Sequence, residues 1–361
     1  MGKKVVLILV ILVVIGLLGF GIFKFVTSPD FKSPLGSEKI TQDSGSKEQE
    51  KVENPLNGVI VPDSEKAKVL ERRPLVVMVG NNSDARPQWN VSKADLVYEV
   101  VAEGGITRFM SVFLQNDPEK IGPVRSIRAY FLNWIVELGD AMVFHDGWSK
   151  SVNIDASAVD LIDMIPVRSL FRGGLYGERD SSRFAPNNEY ISSAVARSKG
   201  EELGWQGVRE YQKWKFKEKD NQKYSSSPDA KTLDIVFWSP GEYDSSFMYD
   251  PQTNLYMKST GGEKHIDAIS GVQLSATNVI VQFAKETEVG DEKGHLLYNN
   301  IGTGKALVFI DGKVIDSVWS KKDRASRTMF YDTNGQEIEY NRGVIWVAVV
   351  PDRNVDQVTY K

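Results

Sequence analysis

An uninterrupted uncharged run from Val5 to Phe23 stands between Lys3-Lys4 and Lys24. As a helix these residues would rise roughly 28 Å, close to the hydrocarbon thickness of a bilayer. A cleavable signal peptide would end in a small-x-small tripeptide, and none occurs between Phe20 and Pro29, so the run reads as an uncleaved signal anchor over residues 1–26. Lys3 and Lys4 place the short end in the cytoplasm, with Lys24 working against that bias, and the rest of the chain lies outside it. Cysteine is absent, which excludes a disulfide framework, a thiolate metal site, a cysteine nucleophile and a thioether-linked lipid anchor.

Residues 27–73 change to Ser, Lys, Glu, Asp, Gln, Gly and Pro; between Ser37 and Asn54 only Ile40 and Val52 are apolar. Such a stretch cannot bury a core and reads as a disordered linker. As a flexible coil it would span roughly 35–40 Å. With 44 Lys+Arg against 48 Asp+Glu the formal charge is -4, so the chain offers no electrostatic footprint for nucleic acid.

The remainder reads as α+β in two domains. Residues 74–212 interleave strands and helices. Leu75 to Val79 is a short buried-strand run, and Asp95–Val101 and Thr107–Leu114 are strands joined through Gly104-Gly105. In Val124–Leu138, Ile127, Tyr130, Phe131, Trp134, Ile135 and Leu138 recur at helical spacing. Ala141–Phe144 reads as a strand, Ser149–Met164 and Glu189–Leu203 as helices. Residues 213–230 form a lysine- and serine-rich inter-domain loop. Residues 231–361 are β-rich, with Asp311-Gly312 and Asn334-Gly335 as hairpin turns whose central residues take positive φ.

Each half carries its own motifs: Ala85-Arg86-Pro87-Gln88, Glu103-Gly104-Gly105-Ile106-Thr107-Arg108-Phe109 and Ile121-Gly122-Pro123-Val124-Arg125-Ser126-Ile127-Arg128 in the first, then Gly302-Thr303-Gly304-Lys305-Ala306, Asp311-Gly312-Lys313, Trp319-Ser320-Lys321 and Gly343-Val344-Ile345-Trp346 in the second. With Ala94-Asp95, Tyr98-Glu99 and Asn278-Val279, the chain from Pro74 to Pro351 resembles the bacterial YerB-like envelope lipoproteins, whose two consecutive domains are of unknown function. The resemblance implies a membrane-attached, outward-facing bacterial protein and brings no reaction or ligand. Two departures stand out. The acylated cysteine common in that family is missing, and Asn187 follows Pro186 where the family often has histidine.

The most informative cluster is Glu99, Glu103 and Arg108. A two-residue loop at Gly104-Gly105 sets Glu103 opposite Ile106 and Val101 opposite Arg108, which puts both carboxylates and the guanidinium on one face. That face suits acid–base work, or binding of a cation or of sugar hydroxyls, and equally a structural salt-bridge network. Arg125 and Arg128 fall in the first turn of the expected Val124–Leu138 helix, where cations oppose the macrodipole, so an internal carboxylate or an anionic ligand should face them. His145-Asp146-Gly147-Trp148-Ser149 follows a strand and opens a helix, where α/β sheets place ligands. This makes His145 a rim or acid–base candidate, while Ser149 is a nucleophile in an elbow lacking its last glycine or, more simply, a helix N-cap.

His145, His265 and His295 have no zinc-motif spacing, and Gly302-Thr303-Gly304-Lys305 enters a strand rather than a helix, so no metal or cofactor is implied. The leading expectation is a membrane-anchored envelope protein that binds an anion through Arg108, Arg125, Arg128, His145 and Ser149. Its ligand would be an anionic envelope polymer or lipid-linked precursor, or it would engage a wall-synthesis protein. Two alternatives stand beside it: an enzyme on envelope glycans or phosphodiesters using Glu99, Glu103 and His145, and a protein-interaction scaffold.

Overall fold

The computed structural model describes residues 52–171, 176–207, 210–218 and 221–361. The expected membrane anchor Val5–Phe23 and residues 27–51 of the expected linker lie outside the described residues. No helix among the described residues is long and apolar enough to cross a membrane.

One 11-stranded sheet organises the fold. Leu75–Gly80, buried along its whole length, lies between Ile106–Phe113 and Met142–His145, with Arg168–Phe171 at the edge. The other half of the sheet runs through Asn278–Glu288, Gly302–Ile310, Lys313–Lys321 and Met329–Asp332. The seam is Ile345–Pro351, which pairs in parallel with both Leu96–Glu103 and Asn278–Glu288. Its seven residues are all buried. Strands on either side of residues 213–230 therefore share one ladder. A six-stranded sheet built around Thr232–Ile235, Ser245–Asp250 and Leu255–Thr260 completes the compact unit.

Composition misleads over residues 52–73. Here Val52–Glu53 pairs with Ile60–Val61, Lys66–Leu70 is helical, and Leu56 and Val69 are buried in the core. The few apolar residues of the stretch fall where the body can cover them. Asn54 and Asn57 both donate to Asp95, which ties the segment down.

Two expected helices are shorter than their periodicity suggests. The helix expected over Val124–Leu138 is confined to Phe131–Val136. Residues 124–127 instead bond outward as extended backbone: Arg125 N to Met78 O, Ile127 N to Gly147 O, and Asp146 N to Arg125 O. Arg125 and Arg128 consequently do not stand in a helical first turn, and the macrodipole reasoning does not apply to them. The expected Ser149–Met164 helix begins only at Ala158, because Ser149 Oγ accepts from Ala158 N and donates to Ala156 O, holding the preceding loop in place. Asp311-Gly312 makes its hairpin turn with both φ positive (55° and 71°), whereas at Asn334-Gly335 only Gly335 has positive φ.

Candidate functional site

The hairpin of Leu96–Glu103 and Ile106–Phe113 turns at Gly104 and Gly105, whose φ of 58° and 78° are the left-handed values this turn requires. One residue more is used in the first strand than in the second: Val101 pairs with Thr107, yet Glu103 pairs with Ile106. The resulting bulge flips every side chain before it to the other face. Glu103 stays with Arg108, and Glu99 passes to the opposite side with Thr107. This corrects the expectation that both carboxylates share Arg108's face.

On that opposite side Glu99 is fully buried and saturated. Lys258 Nζ is 3.1 Å away, and Thr107 Oγ1, Ser245 Oγ and Trp346 Nε1 all donate to it. His145 is buried too. Its Nδ1 donates to Gly147 O and its Nε2 accepts from Ser169 Oγ, each at 2.8 Å, and burial pulls its pKa down to about 4. Neither His145 nor Ser149 lines the cavity described next, and Glu99, Glu103 and His145 are not brought together.

What does come together is an arginine cavity of about 280 Å³ lined by Gly80, Asn82, Glu103, Arg108, Arg125 and Asn187, among others. A Cβ on Gly80 would fall 2.8 Å from Arg125 Cγ, so glycine there lets Arg125 cross the end of its strand. Arg128 grips Glu103 with both prongs of its fork: Nε bonds Oε1, and Nη2 donates to Oε2 at 2.8 Å. Burial raises the Glu103 carboxyl pKa, but the bonds and charge of Arg128 more than reverse this, leaving it below the usual range. A carboxylate held that way is a poor proton donor.

Arg108 has no such partner. It is 6% exposed; Nη1 donates to Ser126 O at 2.6 Å, and its buried Nε bonds to nothing. Among the described residues no carboxylate pairs with it or with Arg125, which donates to Asn187 Oδ1 at 2.8 Å. Burial, then Arg128 and Arg125, pull the Arg108 guanidinium down to about 9 against the opposing pull of Glu103, so it remains charged at neutral pH. The Nε–Nη2 edge of a guanidinium is the one that grips carboxylate or phosphate in a bidentate way. In Arg108 neither atom of that edge has a hydrogen-bond partner among the described residues, and Nε is buried. Three guanidiniums gather here against Glu103 and, acting on Arg125, the charge of Asp146, which leaves positive charge in excess.

Spacing alone pointed to Arg108, Arg125, Arg128 and Glu103. It missed Gly80 and Asn82, because only the fold carries the end of Leu75–Gly80 to the hairpin. Asn187 was visible only as a departure from a family pattern. Also missed was Glu137, buried and accepting from Tyr98, Lys321, Arg327 and Thr328. These partners are too distant in sequence for any local pattern to show. No cluster of three or more His, Asp or Glu able to hold a metal ion occurs among the described residues.

The chain belongs to the DUF3048 family. Residues 60–206 match the "Protein of unknown function (DUF3048) N-terminal domain", and residues 233–347 match the corresponding C-terminal domain. The chain is 30% identical over 315 residues to "Putative lipoprotein YerB" of Bacillus subtilis (strain 168), covering 86% of this chain and 89% of that protein. The crystal structure of YerB protein from Bacillus subtilis superposes with a TM-score of 0.74 at 27% identity, covering 86% of this chain and all of the other.

Proposed function

We propose that this protein is a membrane-tethered, extracytoplasmic envelope protein that captures an anionic group of a cell-envelope ligand in the arginine cavity. The carrying observation is Arg108, lining the cavity with Arg125, its Nε buried without a hydrogen-bond partner and no carboxylate paired with it among the described residues. A buried charge without a partner is costly, and an incoming anion relieves that cost. At about 280 Å³ the cavity suits a phosphate or carboxylate group rather than a whole polymer repeat.

The location rests on two supports: the apolar run Val5–Phe23, which supplies an anchor to a chain without cysteine, and the relative named as a lipoprotein. The full chain in mild detergent should bind inorganic phosphate, pyrophosphate and poly(glycerol phosphate) by calorimetry, more weakly as salt rises. Arg108→Gln should remove the signal while the fold is retained. No heat with any of the three anions would sink the anion reading and turn attention to a wall-synthesis protein as the partner.

A further inference from the structure

We infer that a second cavity, separate from the arginine site, is a docking slot for a short extended peptide that carries an acidic residue next to a basic one. It has a volume of about 510 Å³ and lies between Ser83, Arg86 and Pro87 of the first half and the hairpin of Leu255–Thr260 and Glu263–Lys264 in the second. Among the described residues Glu263–Lys264 pairs with Leu255–Thr260 alone and stands at the end of the six-stranded sheet. Four residues in a row, Glu263, Lys264, His265 and Ile266, line the cavity. Successive side chains of an extended chain point to opposite faces, so a cavity that reaches all four runs along the edge and not over one face.

That edge has backbone groups to offer. Gly261 and Gly262, with φ of 59° and 82°, make a two-residue turn, so the flanking Thr260 and Glu263 exchange the hydrogen bonds of the hairpin. His265 N likewise donates inward to Lys258 O. Bonding alternates from residue to residue along a strand, which turns the N–H and C=O of Lys264 outward, and neither has a backbone partner among the described residues. A peptide laid beside Lys264 pairs with both, the mode by which extended chains add to open sheet edges.

The side chains select which peptide. Arg86 and Glu242, on opposite walls of the slot, satisfy each other at 2.9 Å, whereas Glu263 and Lys264 have no ion-pair partner among the described residues. A strand paired along this edge sets one residue opposite each of them, so a basic side chain meets Glu263 and an acidic one meets Lys264. The wall facing the edge is fixed in advance. Gln88 Oε1 accepts from His265 Nε2 at 2.5 Å, and Arg183 donates to Ala85 O and Pro87 O at 3.1 and 2.6 Å, which lowers the ordering cost of binding. A volume in the range of small-ligand sites limits the peptide to a few residues.

Calorimetry on the full chain in mild detergent with three N-acetylated, C-amidated tetrapeptides tests the idea: Val-Lys-Glu-Val, its reversal Val-Glu-Lys-Val, and Val-Gln-Gln-Val. At least one charged peptide should bind, about fivefold to tenfold more tightly than the glutamine peptide, as expected for two exposed ion pairs. Methylating both central backbone nitrogens of the better peptide should weaken it by about tenfold or more, the size of a lost hydrogen bond or two. Lys264→Pro, which removes the outward N–H at an edge position where proline is tolerated, should act in the same way. Lys264→Gln keeps that N–H and should reduce only the preference for the charged peptide. No binding of either charged peptide, or a methylated peptide that binds as tightly as its parent, would overturn the slot and leave the arginine cavity standing.

Discussion

Glu99 and Lys258 lie 3.1 Å apart with neither side chain exposed, one on a strand of the first half and the other on a strand of the second. Burial pulls the Lys258 pKa down, and Glu99 pulls it back up. With Ser245, Thr107 and Trp346 also donating to Glu99, the pair is a polar rivet between the two halves.

Removing one partner of such a pair strands the other charge in the interior, and that costs more than the pair itself contributes. Lys258→Met should therefore destabilise the protein by about 3–5 kcal/mol, with Glu99 left uncompensated. Urea unfolding of wild type, Lys258→Met and the double variant Lys258→Met/Glu99→Gln measures this. The double variant should recover part of the loss; a single variant within about 1 kcal/mol of wild type would show that the pair is not a rivet.

Arg108 behaves in the opposite way if it is kept for binding rather than for folding. It carries a buried charge that no carboxylate neutralises among the described residues, and its one bond is to Ser126 O. Arg108→Met should leave the melting temperature unchanged or raise it while abolishing phosphate binding. A large fall in melting temperature would mean that the guanidinium is structural.

How far the chain could be read without its structure differs from place to place. Leu75–Gly80 and the Asp311-Gly312 hairpin were legible because an apolar run and a turn dipeptide are local signals. The pairing of Ile345–Pro351 with Leu96–Glu103 was not, since it joins residues some 250 positions apart. Three of the expected anion residues, Arg108, Arg125 and Arg128, do gather around Glu103. His145 and Ser149 do not: His145 is buried against Gly147 O and Ser169 Oγ, and Ser149 is held by Ala156 and Ala158, contacts that no local sequence pattern announces.

Glu103 separates a binding cavity from a catalytic one. If it only balances charge, Glu103→Gln frees Arg128 and strengthens anion binding by about threefold to tenfold, the size expected for removing one nearby negative charge in a partly screened site. If it serves as an acid or base, turnover of envelope glycans falls by about a hundredfold or more and affinity is little changed. Calorimetry with inorganic phosphate beside a wall-digestion assay distinguishes the two.

His145 gives the fold a pH dependence whose sign follows from its burial. Its pKa is about 4 in the folded protein and near 6.5 when exposed, so its contribution is fully present above pH 6.5 and is lost as pH falls towards 4. A shift of that size corresponds to about 3 kcal/mol across the window. His265, depressed by burial and by Lys258 and Arg86, pushes the same way. Asp95, raised to about 6 by burial against its hydrogen bonds, pushes the other way between pH 6 and 4. The informative quantity is therefore the difference between wild type and His145→Gln in urea unfolding at pH 7.5, 5.5 and 4.5. The variant should be the less stable protein at pH 7.5, and the gap should narrow by about 2–3 kcal/mol by pH 4.5. A gap that stays constant with pH would show that His145 does not titrate in that window.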